Sequence, residues 1–222
     1  MCIRDRSETN LKLGNFFCEC LKKLGFRAYK TKNTRWFYRW VSQVSPFLNW
    51  VYKIVLGLDE KETTTYNPIK VDWLPKASKE IVRRFLQGIY ESDGCISLYG
   101  REISCVTFPN ATLIQKLLNS FDINSKIGKD KYKKISIYGF NKMEKSHNLL
   151  FAPEIGTERY QLLEMLVNSK SLEFGQRLPS NIKMEIIKLR KEGFNYSDIL
   201  KTLLQKHNLR TSTETVKRAL NS

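Results

Sequence analysis

A glycine inside a strong helical pattern constrains this chain more than any other feature. The stretch Phe85-Leu86-Gln87-Gly88-Ile89-Tyr90-Glu91-Ser92-Asp93-Gly94 has the apolar spacing of a helix, yet Gly88 costs roughly 1 kcal/mol relative to alanine there. It needs a packing reason, and Ser92 one turn later extends the same small-residue stripe, which lets a second helix approach closely. Asp93 falls in the last turn, where a carboxylate opposes the negative end of the helix dipole unless a cation offsets it, and Gly94 follows as a natural C′ residue. A close pair of helices, each ending in a carboxylate, would hold a hard divalent ion through oxygen ligands, the usual environment of Mg²⁺ at phosphates. An ordinary amphipathic helix with an Asp-Gly stop is the plainer reading of the same residues.

Downstream, Cys95–Tyr99 and Ile103–Phe108 read as strands around a Gly100-Arg101 turn, rich in β-branched and aromatic residues. Asn110 caps a helix through Ser120 whose apolar face is Leu113, Leu117, Leu118 and Phe121. Ser125–Lys129 and Lys134–Tyr138 form a second strand pair, and Asn141–Leu150 and Glu158–Ser169 read as closing helices. With this order around it, Leu86 to Gly94 resembles the LAGLIDADG motif of homing endonucleases position by position. Both glycines and the final Asp are kept, and the departures are Gln87, Tyr90, Glu91 and Ser92. The resemblance covers about Lys76 to Lys170 and implies an α+β fold of αββαββα repeats with a saddle-shaped antiparallel sheet that sits on double-stranded DNA. It further implies two motif helices packed at the centre through Gly88 and Ser92, a catalytic divalent metal (Mg²⁺ or Mn²⁺) at Asp93 and Gly94, and phosphodiester hydrolysis. The family also places a basic residue near the closing helix to polarise the attacked phosphate; Arg159 stands nearest that position, where lysine is the commoner choice.

The upstream half reads as the same repeat with its beginning missing. Leu11–Leu24 ending at Gly25 matches the middle helix, Arg27–Lys32 and Arg35–Val41 the second hairpin, and Pro46–Leu56 a closing helix, a self-similarity that indicates a pseudo-twofold arrangement. The polar leader Cys2–Arg6 fits no part of the repeat, so the expectation is an N-terminally truncated chain, with a degenerate first half as the alternative. Domains are accordingly expected at 1–75 (partial first repeat), 76–172 (complete second repeat) and 176–222. A chain holding one motif helix is expected to self-associate through that helix, or to bind DNA without cutting both strands.

Charge points to the partner independently. Lys and Arg number 38 against 22 Asp and Glu, a net +16 that is the footprint of a nucleic-acid binder. Lys30, Lys32, Arg35 and Arg39 in the first half, and Arg101, Lys126, Lys129, Lys131 and Lys134 in the second, fall on strand faces that would line the duplex, although a solvated strand face would look the same residue by residue. Trp36, Tyr38 and Trp40 alternate as core residues. No apolar run spans a bilayer and no signal peptide is evident, so a cytoplasmic protein without membrane contact is expected. The five cysteines lack paired spacing for zinc or disulfides, and His147 and His207 lack a nucleophile signature and are expected at the surface.

A composition break near Phe174–Ser180 reads as a linker to three short helices, Asn181–Glu192, Tyr196–Lys206 and Ser212–Leu220. The last, capped and basic, resembles the recognition helix of a helix-turn-helix, with Thr213, Lys217 and Arg218 toward DNA; a three-helix structural cap is the plainer reading. Two classes of function stay open: a metal-dependent homing endonuclease, intron-encoded or free-standing, or a non-catalytic DNA-binding regulator that joins a degenerate LAGLIDADG fold to a helix-turn-helix. An intron maturase remains a further alternative. Asp93 in full motif context points to the endonuclease lineage.

Overall fold

The computed structural model describes residues 5–8, 11–31, 38–42, 45–59, 67–107, 109–129, 133–171 and 178–221. Its centre is α3 (Lys79–Asp93), which starts where Ser78 accepts a hydrogen bond from the Ile81 amide and where Glu80 in the first turn bonds to Arg83 and Arg84. Val82, Leu86 and Tyr90 recur every four residues, and all three are buried. Gly94 ends the helix differently from the expected left-handed C′ glycine: it is extended (φ −72°, ψ 148°) and runs straight into a strand. Glycine is required there by space, since a Cβ would stand 2.3 Å from the Tyr90 carbonyl oxygen.

Strands β4 (Gly94–Ser97) and β5 (Glu102–Val106) form the first hairpin, α4 (Ala111–Asn119) follows, and β6 (Lys126–Ile127) pairs with β7 (Lys134–Tyr138) in an antiparallel sheet of order β4-β5-β7-β6. Asn110 stands at the N-cap of α4, but its side chain turns outward and accepts from the Ile69 amide at 2.9 Å. Period-two alternation sends Ile103, Cys105, Ile135 and Ile137 into the core beneath α3, α4 and α5 (Phe140–Leu150). Glu102, Ser104, Ser136 and Tyr138 therefore lie on the opposite, outward face. The helix α6 (Glu158–Val167), capped by Thr157, closes the unit.

The first unit repeats this plan in part. Helix α1 (Leu11–Lys23) packs on β2 (Ala28–Lys30) and β3 (Tyr38–Ser42), and α2 (Pro46–Trp50) runs into a π-helical turn at Val51–Val55. Trp40 is fully buried against Gly14, as expected of a core residue; Trp36 lies outside the described residues. A further strand, β1 (Asp5–Glu8), pairs antiparallel with β3, giving the order β1-β3-β2. This matches β5-β7-β6 of the second unit. The leader, expected to fit no part of the repeat, thus includes Asp5 and Arg6 in a sheet strand, a strand too polar to be read from its sequence. Among the described residues nothing corresponds to α3 and β4 in this unit.

The C-terminal helices α7 (Ser180–Lys191), α8 (Tyr196–His207) and α9 (Thr213–Leu220) form a three-helix unit, with α8 and α9 capped by Asn195 and Ser212. It is joined to the second unit by more than chain connectivity. Leu98, Phe140 and Leu166 pack with Leu200, Leu204 and Leu209 in one continuous core. A short parallel pairing of β8 (Lys170–Ser171) with β9 (Leu209–Arg210) and an Arg210–Glu144 ion pair flank that contact. The expected linker falls largely on 172–177, outside the described residues. No helix among the described residues is long and apolar enough to cross a membrane.

Candidate nucleic-acid interface

The polar side of α3 organises everything around its C-terminal end. Gln87 donates to the carbonyls of Asn148 (3.0 Å) and Phe151 (3.4 Å), satisfying the end of α5, while the fully buried Glu91 carboxylate accepts from the Ala152 amide at 2.9 Å. Burial pushes the Glu91 carboxyl above the ordinary carboxylate range, against the opposing pull of the Ala152 amide, the Thr157 hydroxyl and Arg159. Arg159 returns the support: its Nη1 donates to the Glu91 carbonyl at 2.5 Å, placing a guanidinium at the negative end of the α3 dipole. Asp93, at the very end of the helix, is exposed, with the Ser92 hydroxyl 3.2 Å from its Oδ2. Cys105 lies below, its thiol driven far up mainly by burial and also by the Asp93 charge, so it stays protonated.

Gly88 is exposed, and a Cβ there would meet nothing within 4 Å. It opens on a groove of roughly 430 Å³ whose far wall is Leu13, Phe16, Phe17 and Cys20 of α1. The helix expected against Gly88 and Ser92 is therefore not supplied by the described residues. As for metal, Asp93 and the Gly94 carbonyl are hard oxygen donors, but Glu91 is turned inward and no group of three or more His, Cys, Asp or Glu converges among the described residues. Two such donors are too few to hold a resident ion by themselves.

The outward sheet face carries the expected basic residues unevenly. Lys126 is exposed with Nζ 6.0 Å from the Tyr138 ring, Lys129 is exposed at the β6–β7 connection, and Arg101, in the β4–β5 turn at φ 49°, lies 5.9 Å from the Phe140 ring. Lys134 is engaged with Glu102, a residue that sequence reasoning missed because a lone strand glutamate carries no signature. In the first unit Lys30 is exposed at the end of β2, but it stands opposite the buried Trp40 with Nζ 6.0 Å from that ring, so it lies on the helix-packed face and not on the expected duplex-lining one; Lys32 and Arg35, like Lys131 in the second unit, lie outside the described residues, as does the side chain of Arg39. On α9, Arg218 is exposed and Lys217 pairs with Glu214. Thr213, expected to face DNA, is buried with its hydroxyl donating to the Tyr99 carbonyl, so it docks the helix on the first hairpin. His147, expected at the surface, is buried and stacked on Tyr160 at 4.7 Å, and burial lowers its basicity; the aromatic neighbour thirteen residues away in sequence is what its sequence context hides. His207 pairs with Glu185.

A helix–hairpin–helix–hairpin–helix unit with an outward sheet and a helix ending in an exposed carboxylate is the part of the chain that a known domain family matches. Residues 80–173 match the family model described as LAGLIDADG-like domain. Among solved structures, full-length DUF199/WhiA from Thermatoga maritima is 14% identical, with 98% of this chain and 82% of that chain covered at a TM-score of 0.50. The homing endonuclease I-DmoI in complex with DNA and Mn is 10% identical over 66% of this chain and 79% of that chain, at a TM-score of 0.47. The N-terminal LAGLIDADG domain of DUF199/WhiA is 16% identical over 71% of this chain and 74% of that chain, at a TM-score of 0.47. At 14% identity the likeness to full-length DUF199/WhiA is one of fold. No curated protein sequence matches the chain.

Proposed function

We propose that this chain binds double-stranded DNA through the outward face of the β4-β5-β7-β6 sheet, and that Asp93 is half of a divalent-metal site for phosphodiester hydrolysis which a second motif helix completes. The observation that carries the reading is the pairing of an exposed carboxylate at the end of α3 with an open Gly88 face beside it. That face is where a second helix would bring the second carboxylate; a second copy of α3, or a helix joined upstream of this sequence, has the right chemistry. Arg159, whose guanidinium sits at the same helix end, would offset charge developing on the phosphate. Lys126, Lys129, Arg101 and, on α9, Lys217 and Arg218 would contact phosphates, with 1–75, 76–172 and 176–222 as the working units and Mg²⁺ or Mn²⁺ as the metal.

The second reading is a DNA-binding regulator that does not cut. It draws support from the likeness to full-length DUF199/WhiA, which runs through the C-terminal helices as well as the LAGLIDADG-like domain. Gel-shift and nicking assays on supercoiled plasmid with Mg²⁺ or Mn²⁺ separate the two. Nicking that Asp93→Asn abolishes supports the nuclease; duplex binding without nicking, in the chain and in a form extended by an acid-ended motif helix, supports the regulator.

A further inference from the structure

The apolar stripe of one helix in the first unit faces solvent. Along α2 and the π-helical turn that continues it, Phe47, Trp50 and Ile54 recur at the three- and four-residue spacing that puts side chains on one helix face. Such a stripe normally turns to the core, yet these residues are 44%, 50% and 66% exposed. The opening turns of α5, the corresponding helix of the second unit, carry Asn141, Lys142, Glu144 and Lys145, so the repeat itself does not call for aromatic residues there. The rings are also ordered. Phe26, half-buried at the edge of the core cluster of Cys18, Leu21, Ala28 and Trp40, stacks on Phe47 with centroids 5.7 Å apart and planes 20° apart. Phe47 stacks in turn on Trp50 at 5.9 Å and 28°. The result is a ladder of rings that starts in the core and ends on an indole half open to water. Nearly parallel rings that end on an open one can be continued, because a further planar ring adds by offset stacking.

The charge beside the ladder is one-sided. Lys22, Lys23 and Arg27 are exposed close to Phe26 in the chain, and Lys53 follows Trp50 by one helical turn. Residues 11–31 and 45–58, which build this part of the unit, hold six Lys or Arg against Glu19 alone. Basic neighbours favour an anionic partner, and flat open rings favour one that offers planar faces. A duplex keeps its base faces stacked inside and cannot use such a ladder, whereas an unpaired strand presents them. An acidic protein segment would satisfy the charge but has no use for a run of near-parallel rings. We infer that the Phe26–Phe47–Trp50 ladder is a stacking site for the bases of single-stranded nucleic acid, with Lys22, Lys23 and Arg27 supplying charge for its phosphates. The inference does not depend on the duplex reading of the outward sheet, since Phe26 roots the ladder on the helix-packed side of the first unit.

Fluorescence anisotropy with the full 222-residue chain in EDTA tests this, using labelled oligodeoxythymidylate, oligouridylate and an abasic strand of the same length. Wild type is expected to bind at least one of the two base-bearing strands, the tighter one identifying DNA or RNA as the source. Phe47→Ala and Trp50→Ala should each weaken that binding by about fivefold or more, the loss of one stacked base, while Trp50→Phe keeps a ring and recovers most of it. The abasic strand should bind wild type about as weakly as the base-bearing strand binds the alanine variants. Thermal melting checks that the variants fold, and the abasic comparison on wild type decides alone if they do not. The inference is overturned if neither base-bearing strand binds, if the abasic strand binds equally well, or if folded alanine variants keep wild-type affinity. Preferential capture of an acidic glutamate–tyrosine copolymer, lost in Trp50→Ala, would assign the face to a protein partner and overturn it as well.

Discussion

Single residues already show where this fold is tight and where it is open. Gly14 is buried beneath Trp40, and a Cβ would stand 2.2 Å from the indole ring. Gly14→Ala is therefore expected to destabilise the chain by about 1–3 kcal/mol, the usual cost of overpacking, measured as a lower midpoint in urea. Gly88, with open space over it, should behave in the opposite way: alanine there should stabilise the isolated chain by up to about 1 kcal/mol through helix propensity. A lower Tm for Gly88→Ala would mean that another helix already fills the groove in solution. Glu91 supplies a pH signature. Its folded-state value lies above the ordinary 4.5, so the folded chain holds the proton longer than the unfolded one and stability declines as pH rises through that interval. Glu91→Gln keeps an acceptor for Ala152 and removes the ionisation, so the Tm difference between variant and wild type should grow from acid toward neutral pH. A difference that stays flat with pH would contradict the assignment.

At the scale of elements, much of the architecture was legible because patterns and caps agreed. Val82, Leu86 and Tyr90 announce α3, Ser78 starts it, and the alternation around Ile103 and Ile135 announces the sheet. The strand β1 was not legible: Asp-Arg-Ser-Glu has no apolar residue to give period two, and only its register on β3 reveals it. The site divides similarly. Asp93 and its helix end follow from the motif, but Gln87 and Glu91 do their work on the carbonyls and amide of the α5–α6 connection, some sixty residues away. Such partners leave no trace in local spacing, and the same holds for Thr213, whose cap-like context conceals a hydroxyl committed to Tyr99. Helix α9 can still be tested for DNA contact through Lys217 and Arg218. Replacing both by Gln should flatten the log–log salt dependence of duplex binding by roughly one unit for each phosphate that is no longer neutralised. An unchanged slope would assign α9 to structure alone.

Over the whole molecule, the continuous core from Leu98 and Phe140 to Leu200 and Leu204 makes the C-terminal helices part of the second unit's stability. Deleting residues from Gln176 onward is expected to expose that apolar surface and cause aggregation or a Tm lower by several degrees, so substitution is the cleaner probe of DNA contact. The first unit joins the second across the groove between α1 and α3, with Lys12 donating to the Gly156 carbonyl at 2.8 Å as one link. A net charge of +16 surrounds both. The central claim is that the outward sheet of the second unit holds duplex DNA. Fluorescence anisotropy of a labelled duplex, titrated in EDTA at several salt concentrations with wild type and with a Lys126→Glu, Lys129→Glu variant, tests it most directly. The account predicts steeply salt-dependent binding by wild type that the variant loses by tenfold or more at low salt while melting normally. Equal binding by the two proteins, or no binding by wild type at low salt, would contradict it.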